Sequence, residues 1–236
     1  DAPRPGERTL TAARTVPLRE RGAGGVEDLD VVAVVRSLRD EQATSLVDGQ
    51  QVPVRHFGVI LGLEAWEALA AKLTAAGTHF IGLVLNHKGF ERAVAAGCNE
   101  IGMAVVASDT FNRRNQGVST DESIAAWLDI ACKAEQAGIR AQVTVSTAFG
   151  CPFEGEITVE RVVEVATRVA EARPFEIALA DTIGAGVPTQ VTELVSRVRE
   201  AVPGIPLRCH FHNTRNTGFA NAFAALHAGV RPLDAS

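Results

Sequence analysis

The sequence predicts an α/β protein, specifically an incomplete (β/α)8 TIM barrel. From about residue 64, helical segments with 3.6-residue periodicity alternate with short β-branched runs, which is the pattern of βαβ units and a parallel sheet. Polar residues follow the predicted strands at their carboxyl ends, where a barrel places its active site. The sequence contains no G-x-G-x-x-G motif between a strand and a helix and no P-loop, so a nucleotide-binding doubly wound sheet is disfavoured.

The predicted elements follow one another in a regular order. Ser119 or Thr120 caps the helix that ends before Gly138, and Pro188 begins another helix, as expected from capping preferences. The predicted strands are rich in β-branched and apolar residues and span residues 79–85, 100–107, 142–148, 176–180, 207–212 and 230–234. The predicted helices span residues 64–76, 89–96, 120–137, 158–172, 188–201 and 218–228.

Residues 1–63 follow a different pattern. Arg, Gly and Pro are scattered through them, and the one clearly periodic piece is residues 31–38. We therefore interpret residues 1–236 as one partial barrel domain in which strands 3 to 8 are recognisable, strands 1 and 2 are degenerate, and the C-terminal end is cut. Residues 1–30 match a barrel poorly, and we expect them to be disordered.

Charge and cysteine content narrow the class of protein. The 236 residues include 23 basic and 28 acidic side chains, with a net charge of −5 and no basic stretch, so nucleic-acid binding is not expected. No apolar run reaches the roughly 18–20 residues that cross a bilayer, so no membrane association is expected. The four cysteines form no C-x-x-C pair and suit a reducing compartment, which predicts a cytoplasmic protein.

The sharpest chemical signal is the H-x-H motif formed by His210 and His212. Residues i and i+2 of a strand point to the same face, so both imidazoles project to one side near a strand end. Imidazoles together with oxygen donors suit a divalent ion that acts as a Lewis acid. An equally weighted alternative is a pair of strand histidines satisfied by hydrogen bonds.

Asp181 is the second candidate, because it directly follows an apolar strand and precedes Thr182 and a glycine-containing loop. A barrel's catalytic loop begins at such a position. The alternative is a turn or N-cap aspartate ahead of the helix at Pro188, and this alternative is favoured when Asp181 is taken alone.

Two further loops lie at the same predicted end. Cys151, within residues 150–155, is either a nucleophile or a packed structural thiol, and we favour the structural interpretation. Residues 108–115 read as a polar loop. Its Arg113 and Arg114 either bind a phosphate or carboxylate or are simply exposed, and the two interpretations are equally weighted.

Taken together, these motifs resemble those of the 3-hydroxy-3-methylglutaryl-CoA lyase family, in the barrel superfamily that includes isopropylmalate and homocitrate synthases. The resemblance runs along residues 81–236, and the G-C-P-F-E-G loop points to the lyase branch rather than to the synthases. The motifs occur in the family order: S-x-x-F-x-x-x-N (Ser108, Phe111, Asn115), G-C-P-F-E-G (residues 150–155), D-T-I-G (residues 181–184), and H-x-H (His210, His212) followed by Ala220-Asn221.

The resemblance implies a (β/α)8 barrel that binds Mg²⁺ or Mn²⁺ through His210, His212, an Asp from the first strand and an Asn after the eighth. It implies an acyl-CoA substrate, a possible homodimer, and cleavage of 3-hydroxy-3-methylglutaryl-CoA to acetyl-CoA and acetoacetate. Asp181 and His210 become catalytic residues. The substrate-binding residues implied by the motifs are Gln42, Ser45, Thr182 and Asn115.

The sequence also departs from the family pattern. The first-strand motif G-P-R-D-G-L-Q-N-E has no match, although Arg39-Asp40 shares two letters with it. Residues 43–47 resemble the second-strand motif E-A-T-S-F-V, with Gln42 in the place of its glutamate. Ala178 and Thr147 replace a family serine and cysteine.

These departures leave two histidines as the recognisable metal ligands, so we expect weak metal binding and little turnover from this chain. Either the chain is a fragment with a damaged N-terminal segment, or it is a divergent homologue that uses other first-strand residues. A condensing enzyme that joins acetyl-CoA to a 2-oxo acid, and an inactive barrel remnant, are the alternative functions.

Overall fold

The structure is a computed structural model. It describes residues 32–36, 44–47, 50–53, 57–60 and 79–235, and of the residues before 79 it describes the backbone of strands alone. The predicted helix at residues 64–76 and the segment 1–30 lie outside the described residues.

The centre of the fold is a run of six neighbouring parallel strands, and most of them carry buried apolar residues. Parallel strands need helical crossovers to cover them, and such helices lie between consecutive strands here. This half-barrel confirms the predicted incomplete (β/α)8 fold. The parallel strands are β5 (His79–Val84), β6 (Glu100–Val106), β7 (Arg140–Ser146), β8 (Ile177–Asp181), β9 (Leu207–Phe211) and β10 (Leu233–Ala235).

Most of the described helices have a side-chain N-cap. Ser108, Ser119 and Thr158 each accept a hydrogen bond from a backbone N–H in the first turn of their helix. None of the described helices is both long and apolar enough to cross a membrane. They are α1 (His87–Ala95), α2 (Asp109–Gln116), α3 (Thr120–Gln136), α4 (Val159–Ala170), α5 (Pro188–Ala201) and α6 (Gly218–His227).

The polar loop predicted at residues 108–115 is wrong, because helix α2 spans Asp109–Gln116. This segment lacks an apolar stripe, so the periodicity gave no helix signal. Local interactions stabilise the helix instead. The Ser108 hydroxyl accepts from Phe111 N at 3.1 Å, and Arg113 Nε donates to Asp109 Oδ2 one turn away at 2.7 Å.

The strands before residue 79 pair in antiparallel fashion. β1 (Val32–Arg36) lies between β5 and β4 (Phe57–Ile60) and runs antiparallel to both. β2 (Thr44–Val47) and β3 (Gln50–Pro53) form a separate two-stranded sheet. The segment that resembles the family's second barrel strand therefore lies in a hairpin outside the main sheet.

The hydrophobic core lies between the sheet and its helices. Trp127 and Ile130 of α3 and Leu194 of α5 are almost completely buried against it. Each such side chain contributes about 1.5–3 kcal/mol through burial. This packing holds the strand ends, and with them the loops that carry the polar residues, in fixed positions.

Candidate active site

His210 and His212 lie at the carboxyl end of β9, and the structure brings their rings together. The ring centroids are 4.9 Å apart in an edge-to-face arrangement. Both residues are partly exposed, whereas Phe211 between them is buried. This is the alternation expected of a strand, with the two imidazoles on one face.

His210 is held by a neighbouring carboxylate. Asp234 stands opposite it in the β9–β10 register, and Asp234 Oδ1 lies 2.8 Å from His210 Nδ1. Burial, with smaller contributions from the charges of His212 and Arg208, lowers the pKa of His210 to about 4. His210 is therefore a neutral imidazole near pH 7, the form that binds metals.

Arg208 stands two residues before His210 on the same face of β9, and it is almost completely buried. Its Nη1 pairs with Asp234 Oδ2, and its Nε donates to Glu176 Oε1 at 2.7 Å. Its Nη2 donates to Gln142 Oε1 at 2.7 Å. The guanidinium thus binds side chains from three other segments of the sheet.

The network continues across the sheet from Gln142. The side-chain amide of Gln142 donates to Glu100 Oε1 at 3.1 Å, and Glu100 also pairs with Arg140. Glu100 is fully buried, so these partners offset the cost of desolvating its charge. A continuous chain of hydrogen bonds therefore leads from the amino end of β6 to His210.

The two imidazoles fit a divalent ion as two of its ligands. The Nδ1 atom of His210 contacts a carboxylate, the arrangement that commonly orients a ligating histidine. Among residues 80–234, no cluster of three or more His, Cys, Asp or Glu side chains is arranged to hold a metal. The metal role of His210 and His212 stays a prediction.

Asp181 is completely buried at the end of β8. Its Oδ1 accepts from Ala185 N at 2.9 Å, and its Oδ2 accepts from Gly186 N at 3.0 Å. In the β8–β9 register it stands opposite Phe211 rather than His210. This geometry is that of a turn aspartate that shapes the loop after β8, and the catalytic role of Asp181 stays a prediction.

Neighbouring segments brace that loop. The side-chain amide of Asn221 on α6 donates to the Gly186 carbonyl at 2.9 Å. Gly184 has a φ of +66°, and a Cβ at this position would lie 2.7 Å from Thr214 Oγ1. The loop after β8 is thus packed closely against the loop after β9, which begins at His212.

Hydroxyl groups link three successive strand ends. Ser108 N donates to Thr147 Oγ1 at 3.2 Å, and Thr147 N donates to Thr182 Oγ1 at 2.8 Å. Thr147 adopts a positive φ of 55°, an uncommon conformation for a β-branched residue. The oxygen of Thr182 is therefore already an acceptor, and its substrate-binding role stays a prediction.

Cys151 is buried beside the same loops. Its Sγ lies 3.0 Å from Ser108 Oγ and accepts from Phe153 N at 3.4 Å. These contacts favour the structural interpretation of the thiol. A cavity of about 530 Å³ opens next to it, between the segment around Cys151 and the segment from Ile183 to Glu193.

Of the other predicted substrate residues, one is exposed on α2 and the side chains of two are not described. Asn115 is exposed on α2, where the neighbouring Arg114 stacks over the ring of Phe153 at 4.2 Å. Ser45 lies in the β2–β3 hairpin, and its side chain is not described. Gln42 lies outside the described residues.

The sequence analysis missed Arg208 and Glu176 as site residues, and it placed Asp234 among the polar residues at the strand ends without pairing it with His210. The available signal was a charged residue two positions before His210 in an apolar strand, which places both side chains on one face. Its partners are 26 and 32 residues away in sequence, and spacing alone does not identify them.

Comparison with known proteins identifies the family to which this chain belongs. The sequence model described as HMGL-like matches residues 62–236. The chain is 40% identical over 174 residues to an (R)-citramalyl-CoA lyase from Chloroflexus aurantiacus, which covers 74% of this chain and 55% of that protein. It is 41% identical over 160 residues to a hydroxymethylglutaryl-CoA lyase from Pseudomonas mevalonii, which covers 68% of this chain and 53% of that protein.

A solved structure is similar as well. The HMG-CoA lyase from Acinetobacter baumannii, in complex with coenzyme A and 3-methylmalate, superposes with a TM-score of 0.62 at 38% identity. The alignment covers 66% of this chain and 51% of that one. The chain therefore spans about half the length of the relatives it matches. The match to residues 62–236, together with the half-barrel and the H-x-H motif at its strand ends, shows that the chain belongs to the HMGL-like family.

Proposed function

We propose that the complete protein encoded by this gene is a divalent-metal-dependent carbon–carbon lyase. Its substrate is 3-hydroxy-3-methylglutaryl-CoA or a close 3-hydroxyacyl-CoA thioester, and its products are acetyl-CoA and acetoacetate. The observation that carries the proposal is the His210–His212 pair, with ring centroids 4.9 Å apart, at the strand ends of an HMGL-like half-barrel. The relatives that share this family are named as lyases of acyl-CoA thioesters.

His210 and His212 would hold the Mg²⁺ or Mn²⁺ ion, which lowers the pKa of the substrate's C3 hydroxyl when it is bound. The reaction removes the hydroxyl proton, converts C3 to a carbonyl and breaks the C2–C3 bond. The electron pair of that bond becomes the enolate of acetyl-CoA, and a proton delivered to C2 completes the balance.

One ring nitrogen of His210 is available for this chemistry. Its Nδ1 contacts Asp234, so Nε2 is the ring nitrogen that remains for a ligand or a proton. A single nitrogen cannot hold a metal and accept a proton at once. We therefore propose the ligand role, rather than a proton-transfer role, for His210 Nε2.

A second candidate is cleavage of citramalyl-CoA. It is favoured by the 40% identity to an (R)-citramalyl-CoA lyase. Citramalyl-CoA carries its carboxylate directly on C3, whereas the glutaryl thioester carries it one carbon farther away. The same bond cleavage then yields pyruvate in place of acetoacetate, so the two candidates share a mechanism and differ in the acyl pocket.

Product analysis of the complete gene product tests the proposal. Each thioester is incubated with the enzyme and Mn²⁺, and acetyl-CoA, acetoacetate and pyruvate are quantified by chromatography. Acetoacetate from the glutaryl thioester supports the first candidate, and pyruvate from citramalyl-CoA supports the second. His212→Gln should abolish turnover, whereas Cys132→Ser, an exposed change on α3, should not affect it.

Two outcomes contradict the proposal. Release of free CoA from acetyl-CoA and a 2-oxo acid, without carbon–carbon cleavage of either hydroxyacyl-CoA substrate, would identify a condensing enzyme. Absence of both products, together with no heat of Mn²⁺ binding in calorimetry, would identify an inactive barrel remnant.

A further inference from the structure

The contact between His210 and Asp234 is set by the sheet itself. The two residues are register partners on adjacent parallel strands, so their side chains project from the same face. The carboxylate oxygen lies 2.8 Å from Nδ1, at hydrogen-bond distance. An ionised carboxylate accepts hydrogen bonds but donates none, so Nδ1 is the nitrogen that carries the proton.

Arg208 fixes the position of that carboxylate. All three guanidinium nitrogens are occupied, by Asp234, Glu176 and Gln142. The side chain is 6% exposed, so little water competes for these bonds. The fork is planar and rigid, and it holds Asp234 Oδ2 in place while Oδ1 faces His210.

We propose that Asp234 and Arg208 are positioning residues, which hold His210 in the tautomer with its proton on Nδ1 and thereby keep Nε2 free toward the site. Asp234 acts directly on the imidazole, and Arg208 acts through Asp234. The inference deepens the proposed function, on which it rests for the ligand role of Nε2. The tautomer itself is a property of the chain alone.

A purely structural role makes a different prediction. If the network stabilised only the half-barrel, changes at Asp234 or Arg208 would lower stability and leave the proton of His210 where it is. The position of the proton on the His210 ring therefore distinguishes a positioning role of Asp234 and Arg208 from a purely structural one. The alternative tautomer, with the proton on Nε2, cannot bind a metal through that atom.

Nitrogen NMR of the 236-residue chain, with ¹⁵N-labelled histidine and no metal, tests the proposal. Loss of a signal in His210→Gln assigns the resonance. In the wild type we expect Nδ1 to give the protonated shift and Nε2 the unprotonated shift. In Asp234→Asn the amide can either accept from or donate to Nδ1, so we expect the Nε2-protonated form to appear.

Arg208→Lys gives a second test that keeps the buried positive charge. A lysine cannot reproduce the planar fork, so we expect a mixed tautomer population and a broader distribution of shifts. Arg140→Lys is the matched control, because it alters the far end of the same network, beside Glu100, and should leave the His210 spectrum unchanged.

Cobalt binding supplies the second readout. A Co²⁺ titration followed by absorption should show about 10- to 100-fold weaker binding for Asp234→Asn than for Arg140→Lys. A wild-type His210 with its proton on Nε2, or a wild-type spectrum and Co²⁺ affinity in Asp234→Asn, would overturn the proposal. If the tautomer is as expected but the complete gene product cleaves no thioester, the proposed function fails and the positioning role stands.

Discussion

The indole Nε1–H of Trp127 donates a 2.8 Å hydrogen bond to the carbonyl oxygen of Val169. Trp127 is on α3 and Val169 is in the last turn of α4, so this contact joins two consecutive crossover helices. The indole is completely buried, which makes its donor costly to leave unpaired.

Trp127→Phe should therefore lower the free energy of unfolding by about 2–4 kcal/mol, through a lost hydrogen bond and a residual cavity. Urea denaturation followed by circular dichroism measures the change. Phe219→Leu, at a side chain that is 84% exposed, is the control and should shift the free energy by less than about 0.5 kcal/mol. Equal stability of the two variants would contradict the role assigned to Trp127.

A matched pair of glycine substitutions tests the packing of the loop after β8. Gly184 and Gly204 both have a positive φ, but a Cβ at Gly184 would overlap Thr214, whereas a Cβ at Gly204 would have no atom within 4 Å. Gly204→Ala should cost about 1–2 kcal/mol through backbone conformation alone. Gly184→Ala should cost about 1–3 kcal/mol more, because of overpacking. Similar melting curves for the two variants would show that the loop after β8 can shift at little energetic cost to accommodate a Cβ at position 184.

The thiols should differ sharply in reactivity. Burial raises the pKa of Cys98 to about 11 and that of Cys209 to about 12, so both are protonated at pH 8. Cys151 is also buried, whereas Cys132 is exposed. Dithionitrobenzoate should therefore titrate one thiol quickly in the native chain and four after denaturation. Cys132→Ser should remove the fast phase, and a remaining fast thiol would contradict this prediction.

The N-terminus of α3 should confer a dependence of stability on pH. Hydrogen bonds from the backbone and hydroxyl of Ser119 lower the pKa of Glu122 in the folded chain. The stabilisation is therefore complete above the ordinary value of 4.5 and is lost as the pH falls through the lowered folded pKa. Glu122→Gln should flatten this part of the curve of melting temperature against pH. Glu91→Gln on α1 serves as the control, and identical curves for all three proteins would count against the capping role.

Much of the fold could be predicted from the sequence after residue 79. The apolar runs of β5 to β10 and the periodic stripes of the longer helices are strong local signals, because burial decides both. Helix α2 was missed because Ser108 and the Arg113–Asp109 pair stabilise it without an apolar stripe. The capping residue of α3 was left open between two hydroxyl residues, and the structure assigns it to Ser119.

Only the part of the site that depends on the geometry of a single strand could be predicted from the sequence. The H-x-H spacing places His210 and His212 on one face, and the structure brings their rings together. The buried partners of His210 depend on how separate strands align. The Arg208–Gln142 bond joins residues 66 positions apart, and no local pattern encodes such a pairing.

The direction of β1 has a consequence for any additional metal donor. Arg36 ends β1 beside His79, at the start of β5, whereas Val32 begins β1 beside Ile60. The carboxyl end of β1 therefore lies at the end of the half-barrel opposite the imidazoles. Its amino end lies at the same end of the half-barrel as the imidazoles. With this chain polarity, a carboxylate supplied by the N-terminal strands would reach the imidazole pair from the Val32 or Ile60 side.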